Sequence, residues 1–305
     1  DLLKQIGADD YIHLSAQLPQ ALDQRLSSMG KSVKRFLEGK AELAEVEERM
    51  GRVQAHEVPP AEHPGPELAL MAARLCRREH ELATATEQSL DPVTDYLVHG
   101  AWEDWARRCL RGARPVSLSP SVSQLIDRLA QRRTKLDKTF AEQLATATKN
   151  NSMPTGVLPI ESTLSEVVAP LAEHNPVALV VMDGMSRDVY LELAEDMAAR
   201  GWNAWQRPGQ PAALLAAVPS ITAYSRTSLF AGRMMCGTSA QEAQAFEQHE
   251  RLKRVSRANK PPLLLHKAGL TESHQISEEA VSALADTERR VVSVVINAID
   301  DSLAK

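Results

Sequence analysis

The sequence predicts an α/β protein: a parallel sheet with flanking helices, preceded by an all-α helical region. Three observations predict it. Up to about Ala147 apolar residues recur at intervals of three and four with charged residues between them, the period of amphipathic helices. From Ile160 onward short apolar runs rich in β-branched residues alternate with helical stretches, as in a parallel sheet covered by helices. Between these regimes, residues 149–156 are polar and broken by Pro154 and Gly156. That break divides the chain into a helical domain, 1–155, built as a bundle or arm, and a sheet domain, 156–305.

In the first region Leu22, Leu26, Met29, Val33, Phe36 and Leu43 form one apolar stripe. Residues 58–66 contain four prolines, which no helix can continue through. Leu68, Met71, Leu75 and Leu82 mark a second helix. Asp91-Pro92 opens a third, carrying Trp102 and Trp105, and Ser117 to Pro120 opens a fourth, striped by Leu125, Leu129, Leu136, Phe140 and Leu144. Two basic clusters, Arg77-Arg78-His80 and Arg128-Arg132-Arg133, have the charge to touch phosphates. Their interleaving with Glu79, Glu81 and Asp127 favours solvated helix faces instead. Trp102 and Trp105, three apart, share a helix face and suit a core better than a base-stacking platform.

In the second region Ile160 to His174 reads as a helix and Val177 to Met182 as a buried parallel strand halted by Asp183-Gly184. Arg187 to Arg200 is a helix, Ala212 to Val218 a second strand, and Ser225 to Ala231 a short helix. Pro262 to Leu265 and Val291 to Ile299 are a third and fourth strand. The charged stretch 233–260, with Glu247, His249 and Glu250, reads as a helical or mobile loop over the site rather than part of the sheet.

Composition narrows the classes. With 43% hydrophobic and 25% charged residues and a net charge of −5, the 305-residue chain is an ordinary globular one. Nothing global pulls it toward nucleic acid or anionic lipid. Three scattered cysteines make neither a disulfide framework nor a thiolate cluster, which fits a reducing cytoplasm. No apolar run approaches the roughly 18 residues that suggest a membrane span.

Chemistry in open α/β sheets sits just outside the carboxyl ends of the strands. Asp183 ends one strand, and Thr222 follows another after Pro219-Ser220, so a carboxylate and a hydroxyl can share one crevice. Each has a plainer alternative, a turn or a helix cap. A carboxylate such as Asp183 suits a hard cation, and a hydroxyl such as Thr222 can be both ligand and nucleophile. Ser220 is the competing hydroxyl. Ser225 and Arg226 open the following helix, where amides and a guanidinium can hold a phosphate. Asp300 and Asp301 end the last strand, where a second carboxylate belongs, or form a solvated turn. His266 and Lys267 end the third strand and can line the site; His249 and His274 are weaker candidates.

In combination and order, V-V-M-D-G-M-S at 180–186 and V-P-S-I-T-A-Y-S-R-T-S-L at 218–229 resemble the PglZ family. This is a branch of the alkaline phosphatase superfamily linked to bacterial BREX phage defence. P-P-L-L-L-H-K-A-G-L at 261–270 and the C-terminal V-V-S-V-V-I-N-A-I-D-D-S-L-A-K also fit, so the resemblance runs from near Glu161 to Lys305. It implies a partial alkaline-phosphatase-like sheet and a metal-dependent phosphohydrolase in which Thr222 is transiently phosphorylated, and it favours Thr222 over Ser220. Asp183, Thr222, Asp300 and Asp301 would face divalent metals, zinc or manganese. Ser225, Arg226, His266 and Lys267 would bind substrate, a phosphate ester with nucleotides and nucleic acid among the candidates. Partners would be other phage-defence proteins, in the cytoplasm, with no membrane. The superfamily's later histidine and Asp-His ligands have no counterpart before Lys305. The resemblance therefore implies a domain stopping short of them, inactive or nearly so by itself. Sulfatase chemistry is disfavoured, because threonine cannot become the formylglycine aldehyde. The competing class is a non-catalytic scaffold of the same assembly.

Overall fold

The computed structural model describes residues 5, 7, 9–57, 59, 63–84, 91–113, 119–154, 156–205, 213–272, 275–297 and 299. The chain divides into two compact units, Asp1–Ala145 with Leu191–Glu195, and Thr146–Tyr190 with Asp196–Lys305. No helix among the described residues is long and apolar enough to cross a membrane.

The first unit is helical. It contains α1 (Pro19–Leu37), α2 (Leu43–Gln54), α3 (Gly65–Thr84), a short turn Pro92–Asp95 continuing through a π-helical turn Tyr96–Gly100 into α4 (Ala101–Ala113), and α5 (Ser119–Lys149). The stripe expected to form one helix through Leu43 is divided. After α1 the chain turns left-handed at Gly39, φ 68°, with Gly39 N–H donating to Phe36 O at 3.0 Å and Lys40 N–H to Arg35 O at 2.8 Å. These two bonds satisfy the last carbonyls of the helix, and glycine takes the positive φ without a Cβ penalty. Leu22, Leu26, Met29 and Val33 of α1 pack with Val46 and Val53 of α2, Leu75 of α3 and Leu125 and Leu129 of α5. Trp105 belongs to that core; Trp102 packs against it with the Arg74 guanidinium 3.8 Å from its ring centroid.

The basic clusters are not solvated faces throughout. Arg78 is buried, donating through Nε to Glu103 at 2.6 Å and pairing with Asp95 through Nη2. Arg132 grips both oxygens of the buried Glu79 at 2.9 and 3.0 Å. These two buried partners of Arg78 come from 17 and 25 residues further along the chain. Local charge alternation could not reveal them.

The second unit holds β1 (Val157–Pro159), β2 (Val177–Met182), β3 (Ala213–Leu215), β4 (Leu263–Leu265), the two-residue strands β5 (Thr271–Glu272) and β6 (Gln275–Ile276), and β7 (Val291–Ile296). Strands β2, β7 and β4 form a parallel sheet in that order, with Val180 and Leu265 both level with Val294. The central strand is β7, whose Val291 to Val295 are all buried. The buried strand expected at Val177–Met182 is an edge strand instead, with Val180 50% exposed. An apolar run announces a strand but not its place in the sheet. A second correction concerns β3, which pairs in parallel with β1 and lies outside the three-stranded sheet.

A 3₁₀ turn Ile160–Ser162, a π-helical turn Leu164–Val168 and α6 (Ala169–Ala172) fill the stretch read as one helix. Then come α7 (Arg187–Ala199), α8 (Thr222–Ala231), α9 (Ser239–Gln248), α10 (Glu250–Val255), α11 (Lys267–Leu270) and α12 (Glu278–Ala285). The stretch 233–260, expected over the site, is helical but built into the core. Phe246 of α9 is fully buried edge-to-face on Phe230 of α8, centroids 5.6 Å apart, and Leu252 of α10 joins them with Leu264 and Val295 of the sheet. Most of its polar residues lie on the outer faces of α9 and α10, but Glu242 of α9 is buried. His249 caps α10, its Nδ1 accepting from Leu252 N–H at 3.4 Å, and burial lowers its pKa.

Two outcomes follow from this packing. Phe246→Ala removes a fully buried ring and is expected to cost about 3–5 kcal/mol, whereas Glu250→Ala, at an exposed position, stays within about 0.5 kcal/mol. A urea titration followed through the β7 amide signals measures both. Burial pushes the Cys76 thiol up to about 12, while Cys236 is exposed. A disulfide reagent at mildly alkaline pH should label Cys236 quickly and reach Cys76 only after denaturation, because the thiolate is the reacting form.

Candidate functional site

Three parallel strands deliver three polar residues to one edge. Asp183 follows β2, His266 follows β4 and Asn297 follows β7. The ladder extends one step beyond β2, since Asp183 N–H donates to Ile296 O at 2.9 Å, and Gly184 at φ 72° lets the chain turn away at once. The edge is therefore the carboxyl edge at which open α/β sheets place their chemistry.

Helix α8 is tied to this edge by an ion pair. Thr222 is its first residue and is exposed; Arg226, one turn on, is on the same helix face. Arg226 Nη1 lies 2.7 Å from Asp183 Oδ2, with Asn297 Nδ2 donating to the same oxygen at 3.5 Å. The far side of the guanidinium meets Glu242 of α9, with Nε 3.2 Å from both carboxylate oxygens and Nη2 3.1 Å from Oε2. Glu242 also accepts from Thr227 Oγ1 at 3.0 Å and faces His266 Nε2 at 2.7 Å. Its side chain is 1% exposed, against 10% for Arg226 and 13% for Asp183. Carboxylates are acceptors only and the guanidinium is a fork of donors, so one cation satisfies two anions here with matching geometry.

Local sequence explains each placement. Glu242 and Phe246 are one turn apart on α9, so the face that buries an aromatic ring also buries the carboxylate. The N-terminus of α9 is set by Thr238 N–H donating to Gln241 Oε1 at 2.9 Å. Ser225 does not open α8, which begins three residues earlier. Its Oγ accepts from Ala217 N–H at 3.2 Å, pinning the segment after β3 to the helix.

Of the residues singled out from sequence, the structure brings Asp183, Arg226 and His266 into one cluster and puts Thr222 one turn from Arg226. Lys267 opens α11 and is exposed. Asp300, Asp301 and His274 lie outside the described residues. β7 ends at Ile296 rather than Ile299, so the residue following the strand is Asn297, not Asp300. Sequence reasoning missed Glu242 and Asn297. The only signal for Glu242 was its i, i+4 spacing from Phe246; for Asn297 it was the end of a β-branched run.

The described residues do not by themselves make a divalent-cation site. No group of three or more His, Cys, Asp and Glu side chains among them is placed to hold a metal ion, and Asp183 is paired with a guanidinium. Breaking this pairing is expected to be costly. Arg226→Ala leaves two enclosed carboxylates facing each other and should destabilise the second unit by about 3–5 kcal/mol. Asp183→Asn, which keeps an acceptor oxygen toward Arg226, should cost less. Thermal unfolding of the two variants beside the parent checks the order.

Comparison with known families gives a match over the second half of the chain. Residues 163–305 match the family model of the BREX system PglZ alkaline phosphatase-like domain. No curated protein and no solved structure matches the chain. The matched segment contains β2, α8, α9, β4 and β7, the elements that build the cluster. Residues 163–305 are thus a PglZ domain, alkaline phosphatase-like and of the BREX phage-defence type.

Proposed function

We propose that the site hydrolyses phosphate esters, with Thr222 as the attacking hydroxyl. One observation carries this reading: the 2.7 Å pair between Arg226 and Asp183 brings the helix that begins at Thr222 to the carboxyl edge of the sheet, within the segment matched by the PglZ family. In the first step the Thr222 Oγ–P bond forms as the bond from phosphorus to the leaving oxygen breaks, and the hydroxyl proton passes to the departing alcohol. In the second step water attacks the phosphothreonine, the P–Oγ bond breaks, and a proton returns to Thr222. The exposure of Thr222 leaves its hydroxyl open to an incoming ester.

In this reading Asp183 and the strand-end histidine, His266, border the site, and Ser225 and Lys267, next to Arg226 and His266 in the chain, are the further substrate-facing candidates. Arg226 serves by holding Asp183 and α8 together. Alkaline phosphatase-like domains generally use divalent metals. In this reading zinc or manganese would engage Asp183 together with Asp300 and Asp301, and would neutralise charge on the ester. The partners would be other components of the defence system, and the substrate a phosphate mono- or diester, nucleotides and nucleic acid included.

The test is release of 4-nitrophenol from its phosphate mono- and diesters by the full-length protein. Thr222→Ala should abolish turnover while the far-ultraviolet circular dichroism stays unchanged, and Thr222→Ser should keep part of it, because serine retains the attacking oxygen. An acid quench should leave phosphate on Thr222, located by peptide mass spectrometry. Undiminished turnover in Thr222→Ala would exclude this nucleophile, and absence of turnover in the parent would leave the domain as a scaffold of the assembly.

A further inference from the structure

The residue with most contacts in the cluster is the one farthest from solvent. Glu242 comes from α9, yet its carboxylate meets Arg226 and Thr227 of α8 and His266 behind β4. An enclosed carboxylate is costly unless every lone pair is engaged. Here both oxygens accept: Oε1 from Thr227 Oγ1 and Arg226 Nε, and Oε2 from Arg226 Nη2 and from the His266 ring. A carboxylate has no hydrogen to donate and only accepts. The 2.7 Å contact therefore requires the hydrogen to sit on His266 Nε2. In a neutral imidazole that leaves Nδ1 as the nitrogen with the lone pair. The ring is further held by Phe230, whose ring meets it near edge-on with centroids 6.5 Å apart.

We infer that Glu242 is a positioning residue of this site: its buried carboxylate holds the Arg226 guanidinium against Asp183 and fixes His266 with Nε2–H turned inward and Nδ1 as the acceptor at the sheet edge. The side-on grip matters for Arg226. Nε and Nη2 are committed to Glu242, so Nη1 is the atom aimed at Asp183, and α8 with Thr222 is set at a defined distance from β2. Lysine could not do this, since one ammonium lacks the fork that spans two carboxylates. The consequence for hydrolysis rests on the phosphate ester reading given above; the tautomer and the guanidinium grip do not.

The experiment compares the parent chain with Glu242→Gln and Glu242→Asp. Nitrogen-15 NMR, at a pH of about 8 where imidazoles are ordinarily neutral, reads the His266 tautomer and the Arg226 Nε–H signal; circular dichroism reads folding. In the parent, the hydrogen is expected on Nε2 and the Arg226 Nε–H should be protected from exchange. Glu242→Gln removes the charge, and Glu242→Asp keeps it but retracts the carboxylate by one methylene. Both should lose the protection and give a mixture of tautomers with the fold retained. If the glutamine variant does not fold, the aspartate variant decides. In the full-length protein Glu242→Asp should lower kcat by about 100-fold, the scale for misplacing reacting groups by an ångström, with KM changed less than about threefold. A parent ring carrying hydrogen on Nδ1 alone, folded variants with parental signals, or unchanged kcat would overturn the inference. If the parent turns over no ester while the NMR result holds, the positioning role stands and the hydrolase reading fails.

Discussion

The Arg226 guanidinium is the joint on which the carboxyl edge of the second unit's sheet depends. It touches a carboxylate at the end of β2 on one side and one on α9 on the other, and through Glu242 it reaches the histidine behind β4. Four separate elements are tied through a single planar cation. Two anions this enclosed would repel each other without it. The fork geometry lets each make hydrogen bonds rather than mere Coulomb contact. Aliphatic packing could supply comparable stability, but it could not fix which atom faces which.

This polar joint sits on an apolar base. Phe230 and Phe246 meet edge-to-face beneath it, with Leu252, Leu264, Val291 and Val295 around them. Phe230 lies on the helix that carries Arg226, and Phe246 on the helix that carries Glu242. The same two helices thus bury a ring and present a charge, so seating α8 and α9 on the sheet also brings the ion pair into register. The separate ion-pair network of the helical unit follows the same rule. Arg78 is held by Asp95 and Glu103, and Glu79 by Arg132, so those cations are already committed to carboxylates within the fold.

Much of this was legible in the chain. The helical region, the strands at Val177, Leu263 and Val291, and the Asp-Gly turn follow from periodicity and turn chemistry, which are local. Asp183 and His266 could be selected because each follows the end of a strand, where open α/β sheets place their chemistry, and Arg226 because it lies close to the start of a helix. Boundaries were less legible. The stripe through Leu43 hid the break at Gly39, because the apolar period continues across it. Ser225 looked like a helix start because the preceding turn, around Pro219, ends three residues earlier than it seemed.

By itself, then, the sequence determined the two regimes of secondary structure, the residue types available for phosphoryl chemistry and the family resemblance of the C-terminal half. Each of these depends on residues close together in the chain. Only the tertiary structure decided that β7 is the central strand, that β3 leaves the main sheet for β1, and that α9 is core rather than a loop over the site. It alone paired Arg226 with Asp183, 43 residues apart, and brought Glu242 to His266 across 24. Such pairs depend on which faces of the helices seat against the sheet, and that is settled by the packing of the whole unit rather than by any one segment.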